Sequence, residues 1–253
     1  MPRLVGRPSG MTPSASAGTP SERELIGCPL WSIVPGRVFR FACPVSRNSF
    51  FSMIHTKYKL SFTAASLALS ESKKIAEAYL RCKDWNLTKR TIKQTNLLQS
   101  RTNSRTTRIS IELIQRLGSL TDEQLTLLVE GNLSEQKYLL WFAICKTYPF
   151  IREFATEVLH ERFMSRTLQI TGLDYDAFYK RKADWHEELD KITTSTRGKI
   201  RQVLFLIMRQ ADLISEVNII HPAVLSARLI AVLKPDAPMS FQIFPIPPSD
   251  FEG

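Results

Sequence analysis

The chain lacks paired cysteines, glycine-rich loops, long apolar runs and, through its middle, proline. Its four cysteines, Cys28, Cys43, Cys82 and Cys145, stand far apart with no C-x-x-C spacing. That argues against a disulfide framework or zinc site and fits thiols of a reducing compartment. No stretch approaches the ~18–20 apolar residues of a membrane span, so a soluble, cytoplasmic protein is expected. Enzyme signatures are missing too: there is no phosphate-cradling glycine loop, no G-x-S-x-G and no H-E-x-x-H. His55, His160, His186 and His221 are isolated; the carboxylates beside His160 and His186 (Glu157, Glu161, Glu187, Glu188) suit structural roles better than catalytic ones. The expectation is a binding protein with no catalytic residue, metal or cofactor.

Proline is absent between Pro44 and Pro149, and again until Pro222. Long proline-free, Leu-rich stretches punctuated by caps predict helices, about nine of them, in an all-α multi-helix bundle. The apolar centre is residues 134–164, with Ser134 as a cap and Pro149 at the first turn of a second helix. Trp141, Phe142, Tyr148, Phe150 and Phe154 lie there at helical spacing and are expected in the core. Further helices are predicted over 63–82 with a break near Ser70, over 86–98 capped by Asn86, and over 104–117 capped by Ser104. Thr121 and Gln124 form a capping box for 122–130. Asp174 is expected to cap 175–189, with Phe178, Trp185 and Leu189 inward. Thr194 or Ser195 should start 196–211, and 222–233 should form another helix. Leu213–Ile220 is the single candidate strand. Phe241, Ile243 and Phe244 suggest a packed, extended tail.

Residues 1–52 differ in kind, holding seven of the 14 prolines and five of the 10 glycines. They are expected to be disordered and to lie upstream of a true start at Met53. The rest is expected to divide into an N-terminal bundle, 53–168, and a C-terminal helical module, 169–253, whose order is compatible with a degenerate winged helix.

Formal net charge is +10, which points to an anionic partner. Acid is missing where base is densest: Trp85–Ile111 contains Lys89, Arg90, Lys93, Arg101, Arg105 and Arg108 and no carboxylate. The last three are spaced by four and three, one face of a helix. The interleaved Thr, Ser, Asn and Gln residues supply uncharged hydrogen-bond donors for phosphate oxygens. Arg197, Lys199 and Arg201, preceded by Lys180, Arg181 and Lys182, form a second basic set. Asp184, Glu187, Glu188 and Asp190 stand near enough in sequence to neutralise that one.

Five ordered motifs carry a family resemblance: Leu97-Leu98-Gln99-Ser100-Arg101-Thr102, Glu135-Gln136-Lys137-Tyr138-Leu139-Leu140-Trp141, Ile151-Arg152-Glu153-Phe154-Ala155, Trp185-His186-Glu187-Glu188-Leu189 and Thr194-Ser195-Thr196-Arg197. Over about 53–251 the chain resembles the BrxA family, small accessory proteins of bacterial BREX phage-defence systems. The resemblance implies an all-helical cytoplasmic protein, likened to the antitermination factor NusB, with DNA binding and no catalytic residues. Double-stranded DNA is thus the expected partner of a monomer, with other BREX proteins and RNA as further partners. The alternative is a protein-interaction scaffold or RNA-binding subunit that uses the same basic face.

Overall fold

The computed structural model describes residues 57–95, 97–98 and 103–247, and at 103, 105 and 106 the backbone alone. The expected extension 1–52, the start at Met53 and the end of the tail lie outside the described residues. Secondary structure is helical throughout. A 3-10 turn (Ser61–Ala64) precedes α1 (Leu69–Cys82), α2 (Trp85–Gln94), α3 (Asn103–Leu117), α4 (Asp122–Glu130) and α5 (Leu133–Thr147). Then come α6 (Pro149–Phe154), a π-helical stretch (Ala155–His160), α7 (Glu161–Met164), α8 (Gly172–Ala183), α9 (Glu187–Asp190) and α10 (Thr194–Gln210). The chain closes with α11 (Ala227–Leu233), a 3-10 turn (Lys234–Asp236) and α12 (Met239–Gln242).

Caps set most of these starts. Thr121 and Gln124 make the expected reciprocal capping box on α4, and Pro149 takes the first turn of α6. Elsewhere the cap lies one to three residues before the one expected. Asp84 caps α2 instead of Asn86, Asn132 caps α5 instead of Ser134, and Thr171 caps α8 instead of Asp174. Thr193 caps α10 instead of Thr194 or Ser195. Glu135 and Asp174 are the third helical residues of their boxes, reaching back to the cap's own N–H. Ser104 is likewise inside α3, not at its cap. A cap must keep an extended backbone while its oxygen reaches forward, so acceptable residues clustered at one helix start are easily misassigned.

Two expectations fail for identifiable reasons. The stretch 213–220 is not a strand. Asp212 and Asn218 are left-handed (φ 58 and 62), and Asn218 N–H bonds Ser215 O at 2.9 Å. The chain folds back within a few residues, and only the isolated bridges Ile214–Ile220 and Gln169–Ile219 form. Nor is Trp185 inward: it is 77% exposed. The helix expected to run to Leu189 stops at Ala183, and a turn holds Trp185 N–H to Lys182 O before α9 restarts. Phe178 and Leu189 do point inward.

One apolar cluster joins Tyr58 to Ile246 across the described residues. Its centre is α5 through the π-helical stretch, where Trp141, Phe142, Tyr148, Phe150 and Phe154 are each 0% exposed. Fully burying a side chain of this size stabilises by about 1.5–3 kcal/mol. The tail packs on this centre: Trp141 Nε1 donates to Ile243 O at 3.0 Å, and Phe244 meets Tyr138 edge to face.

Candidate nucleic-acid interface

Helix α2 has a single inward stripe, Trp85, Thr88 and Ile92, spaced by three and four. Trp85 stacks on Tyr79 of α1 with ring centroids 3.9 Å apart, and its indole stands 4.0 Å from the Cβ position of Gly118 at the end of α3. The start of α2 is therefore fixed against both neighbours. Fixing those positions turns Lys89, Arg90 and Lys93 to solvent. Among the described residues, no carboxylate forms an ion pair with any of the three. Lys93 also sits in the last turn, where the helix dipole favours a cation.

On α3, Ser104, Thr107 and Arg108 are exposed. Arg105 is placed by its backbone alone, in the first turns of α3, and Arg101 lies outside the described residues. Two aliphatic side chains share this surface: Leu87 is 46% exposed and Ile111 47%. Among the described residues, Lys89, Arg90, Lys93 and Arg108 are thus exposed without an ion-paired carboxylate, in keeping with the acid-free stretch of sequence.

The second basic set has a different environment. Arg197 donates to Asp176 Oδ1 at 2.8 Å, and Arg201 reaches Asp176 Oδ2 at 3.4 Å. Arg197 also lies over the Tyr179 ring, 4.4 Å from its centroid. The neutralising acid is Asp176 on α8 instead of the four expected from sequence proximity. Lys199 remains exposed, bonded to Gln202 at 3.3 Å. Lys182 is shared between Glu153 (2.6 Å) and Glu157 (2.5 Å), while Arg181 reaches Glu157 at 3.5 Å.

A buried polar network flanks α3. Arg116, 2% exposed, bonds Glu112 Oε1 at 2.9 Å and donates to Phe62 O, Ala65 O and Ser66 O at 3.1, 2.9 and 2.6 Å. Tyr148 and Ser61 donate to the same Glu112 carboxylate. Burial, reinforced by that carboxylate, pushes the Tyr148 hydroxyl up to about 12. A second network holds Tyr58: its N–H donates to Glu188 at 2.7 Å, its hydroxyl to Glu153 at 2.5 Å, and His186 lies against its ring. Burial and then the Glu153 bond raise the Tyr58 hydroxyl far above its ordinary value. Neither network was visible in sequence, because apart from Glu112 and Arg116, one helical turn apart, the partners joined across the fold are 36 to 130 residues apart.

Other chemistry is sparse. Cys145 is buried, which pushes its thiol up and away from reactivity. His160 Nδ1 lies 2.9 Å from Phe244 O. No group of three metal-ligating side chains occurs among the described residues, and among them no helix is long and apolar enough to cross a membrane.

Residues 56–236 match the BrxA family. A curated relative, "BREX protein BrxA" of Bacillus cereus, is 26% identical over 155 residues, 61% of this chain and 77% of that protein. A crystal structure of an uncharacterized protein from Magnetospirillum magneticum superposes with a TM-score of 0.64 at 18% identity, covering 75% of this chain and 99% of the other. That likeness concerns the fold alone.

Proposed function

The chain belongs to the BrxA family, and from that premise we propose that it is a non-enzymatic accessory protein of a BREX phage-defence system that binds duplex DNA through the phosphate backbone. It acts in the cytoplasm as a monomer, with other BREX proteins as further partners. The observation that carries the reading is the contrast between two basic sets. Lys89, Arg90, Lys93 and Arg108 are exposed, with no carboxylate paired to them among the described residues, whereas Arg197 and Arg201 share Asp176. Exposed, unpaired cations release condensed counterions when they meet phosphate, and that release supplies sequence-independent affinity. Cations already held by an acid must first break those pairs, so Arg197 and Arg201 contribute less, and Lys199, exposed beside them, is a secondary contact. Arg101 and Arg105, in the same acid-free stretch, belong with the primary set.

The test is fluorescence-anisotropy binding of a duplex of arbitrary sequence by the wild-type protein and by Lys89→Glu/Arg90→Glu. Reversal should weaken binding to unrelated sequences alike. Unchanged affinity in a folded variant contradicts the assignment.

One observation favours a second reading. Leu87 and Ile111 are aliphatic and about half exposed on the basic surface, where phosphate has no use for them. A protein or RNA partner docking on the same face would cover them. Comparing duplex DNA, structured RNA and the other BREX proteins at one ionic strength separates the readings.

A further inference from the structure

Residues 57–60 lead into the 3-10 turn without regular secondary structure, with Lys57 exposed, Tyr58 buried and Lys59 exposed. Tyr58 thus points inward while the lysines on either side of it face solvent. Tyr58 is fixed from three directions, by Glu188 on its N–H, Glu153 on its hydroxyl and His186 on its ring. Three residues later, Ser61 is held by Glu112, and Arg116 gathers the carbonyls of Phe62, Ala65 and Ser66. The segment is pinned at Tyr58 by Glu153 and Glu188 and at Ser61 by Glu112 of α3, and Lys59 Nζ donates to Gln115 Oε1 of α3 at 3.1 Å.

That position matters because of how α3 presents itself. At 100° per residue, Ser104, Arg108, Ile111 and Gln115 fall on one stripe. The first three are exposed and Gln115 is half-buried. Glu112 and Arg116, on one side of the stripe, turn to the lead-in segment. Gly118, on the other side, turns to Trp85 of α2. The exposed stripe therefore runs between α2, with Lys89, Arg90 and Lys93, and the lead-in, with Lys57 and Lys59. No carboxylate pairs with Lys57 or Lys59 among the described residues. The acids bonded to this segment are already engaged: Glu188 by Tyr58 N–H and His186, Glu153 by the Tyr58 hydroxyl and Lys182, and Glu112 by Ser61, Tyr148 and Arg116.

We infer that Lys59, with Lys57 behind it, is a further phosphate-contacting residue that extends the basic surface of α2 and α3 onto the N-terminal segment; this rests on the duplex-DNA reading above. Arg108 and Gln115 are seven residues apart, about 10 Å along the axis at ~1.5 Å per residue. Projected on a duplex axis, that length spans roughly three charges of one strand at ~3.4 Å each. A rigid pair of cationic points at that separation can track a single strand without reading bases.

Three full-length variants test it: Lys59→Glu, Lys59→Gln and Lys89→Glu/Arg90→Glu, titrated with a duplex between 50 and 200 mM salt. Lys59→Glu should weaken binding at least fivefold, with Lys59→Gln in between. Each Lys59 variant should lower the log–log salt slope by about 0.9, one phosphate contact. An unchanged slope and affinity in both Lys59 variants, with Lys89→Glu/Arg90→Glu impaired, overturns the inference and leaves the duplex reading standing. No effect in any of the three overturns both. Lys59 is exposed and outside the core, and the slope reports counterions released instead of stability, so a structural role for the Gln115 bond would leave it unmoved.

Discussion

Arg116 and Glu112 form an ion pair one helical turn apart on α3, Nε to Oε1 2.9 Å, with side chains only 2% and 5% exposed. Pairs this buried are not by themselves evidence of stability, because desolvation offsets much of the attraction. Here the guanidinium also satisfies three backbone carbonyls of the irregular 62–66 segment. Its worth lies in those carbonyls, of which Phe62 O also accepts from Ala65 N–H at 3.4 Å.

Removing one partner should therefore be severe. Arg116→Met is expected to destabilise by about 3–5 kcal/mol, the usual loss when one member of a buried pair is left alone. The apolar double replacement Arg116→Met/Glu112→Leu, often neutral elsewhere, should remain destabilising by at least ~1–3 kcal/mol because buried carbonyls stay unpaired. Urea unfolding of both variants checks this; a double variant as stable as wild type contradicts it.

Alkaline pH should loosen the same region. Tyr148 has its hydroxyl pushed from 10.0 to about 12 by burial and by Glu112. Between those values the unfolded chain has lost the proton and the folded one keeps it. The unfolded state then binds fewer protons, so stability falls as pH rises through that window. Tyr148→Phe removes this dependence, and its unfolding midpoint should decline less steeply between pH 10 and 12 than that of wild type. Parallel declines contradict the assignment.

The box on α5 should show a simple cap effect. Asn132 accepts from Glu135 N–H at 3.0 Å, and Glu135 returns the bond to Asn132 N–H at 2.9 Å. Asn132→Ala is expected to lower stability by about 1 kcal/mol, whereas Ser134→Ala should be near neutral. Thermal unfolding of the pair distinguishes them; equal losses would return the cap to Ser134.

These caps also show how much of the molecule was legible in the sequence. Helix content, the α4 box, Pro149 at a helix start and the aromatic core around Trp141 were all readable, because each depends on spacing within a few residues. Helix starts near 86, 134 and 174 were displaced because several capping residues compete locally and the backbone chooses among them. Trp185 was misplaced because the 3.6-residue period carries through a turn that only tertiary packing reveals. The acid-free run named Lys89, Arg90 and Lys93, whose exposure follows from the inward stripe Trp85, Thr88 and Ile92 of α2, and Arg108, exposed on α3. The capture of Arg197 and Arg201 by Asp176 was not readable, since it joins α8 to α10 across more than 20 residues. Nor was Lys59, whose position depends on Tyr58, Glu153 and Glu188 meeting in three dimensions.

The two basic sets should separate in binding. Lys89→Ala or Arg90→Ala is expected to lower the salt slope by about 0.9 each, the value of one phosphate contact. Arg197→Ala should change it little, while lowering stability through loss of the Asp176 pair and the Tyr179 ring contact. A larger slope change at Arg197 than at Arg90 would move the interface to α10.

The most direct test of the central claim is a salt titration of duplex-DNA affinity for the wild-type protein. Binding that weakens linearly on a log–log plot, with a slope of roughly −3.6 or steeper, is the predicted result, since Lys89, Arg90, Lys93 and Arg108 alone provide about four contacts at ~0.9 each. No binding at 50 mM salt, or binding indifferent to salt, contradicts the phosphate-contact account and gives the basic surface to a protein or RNA partner.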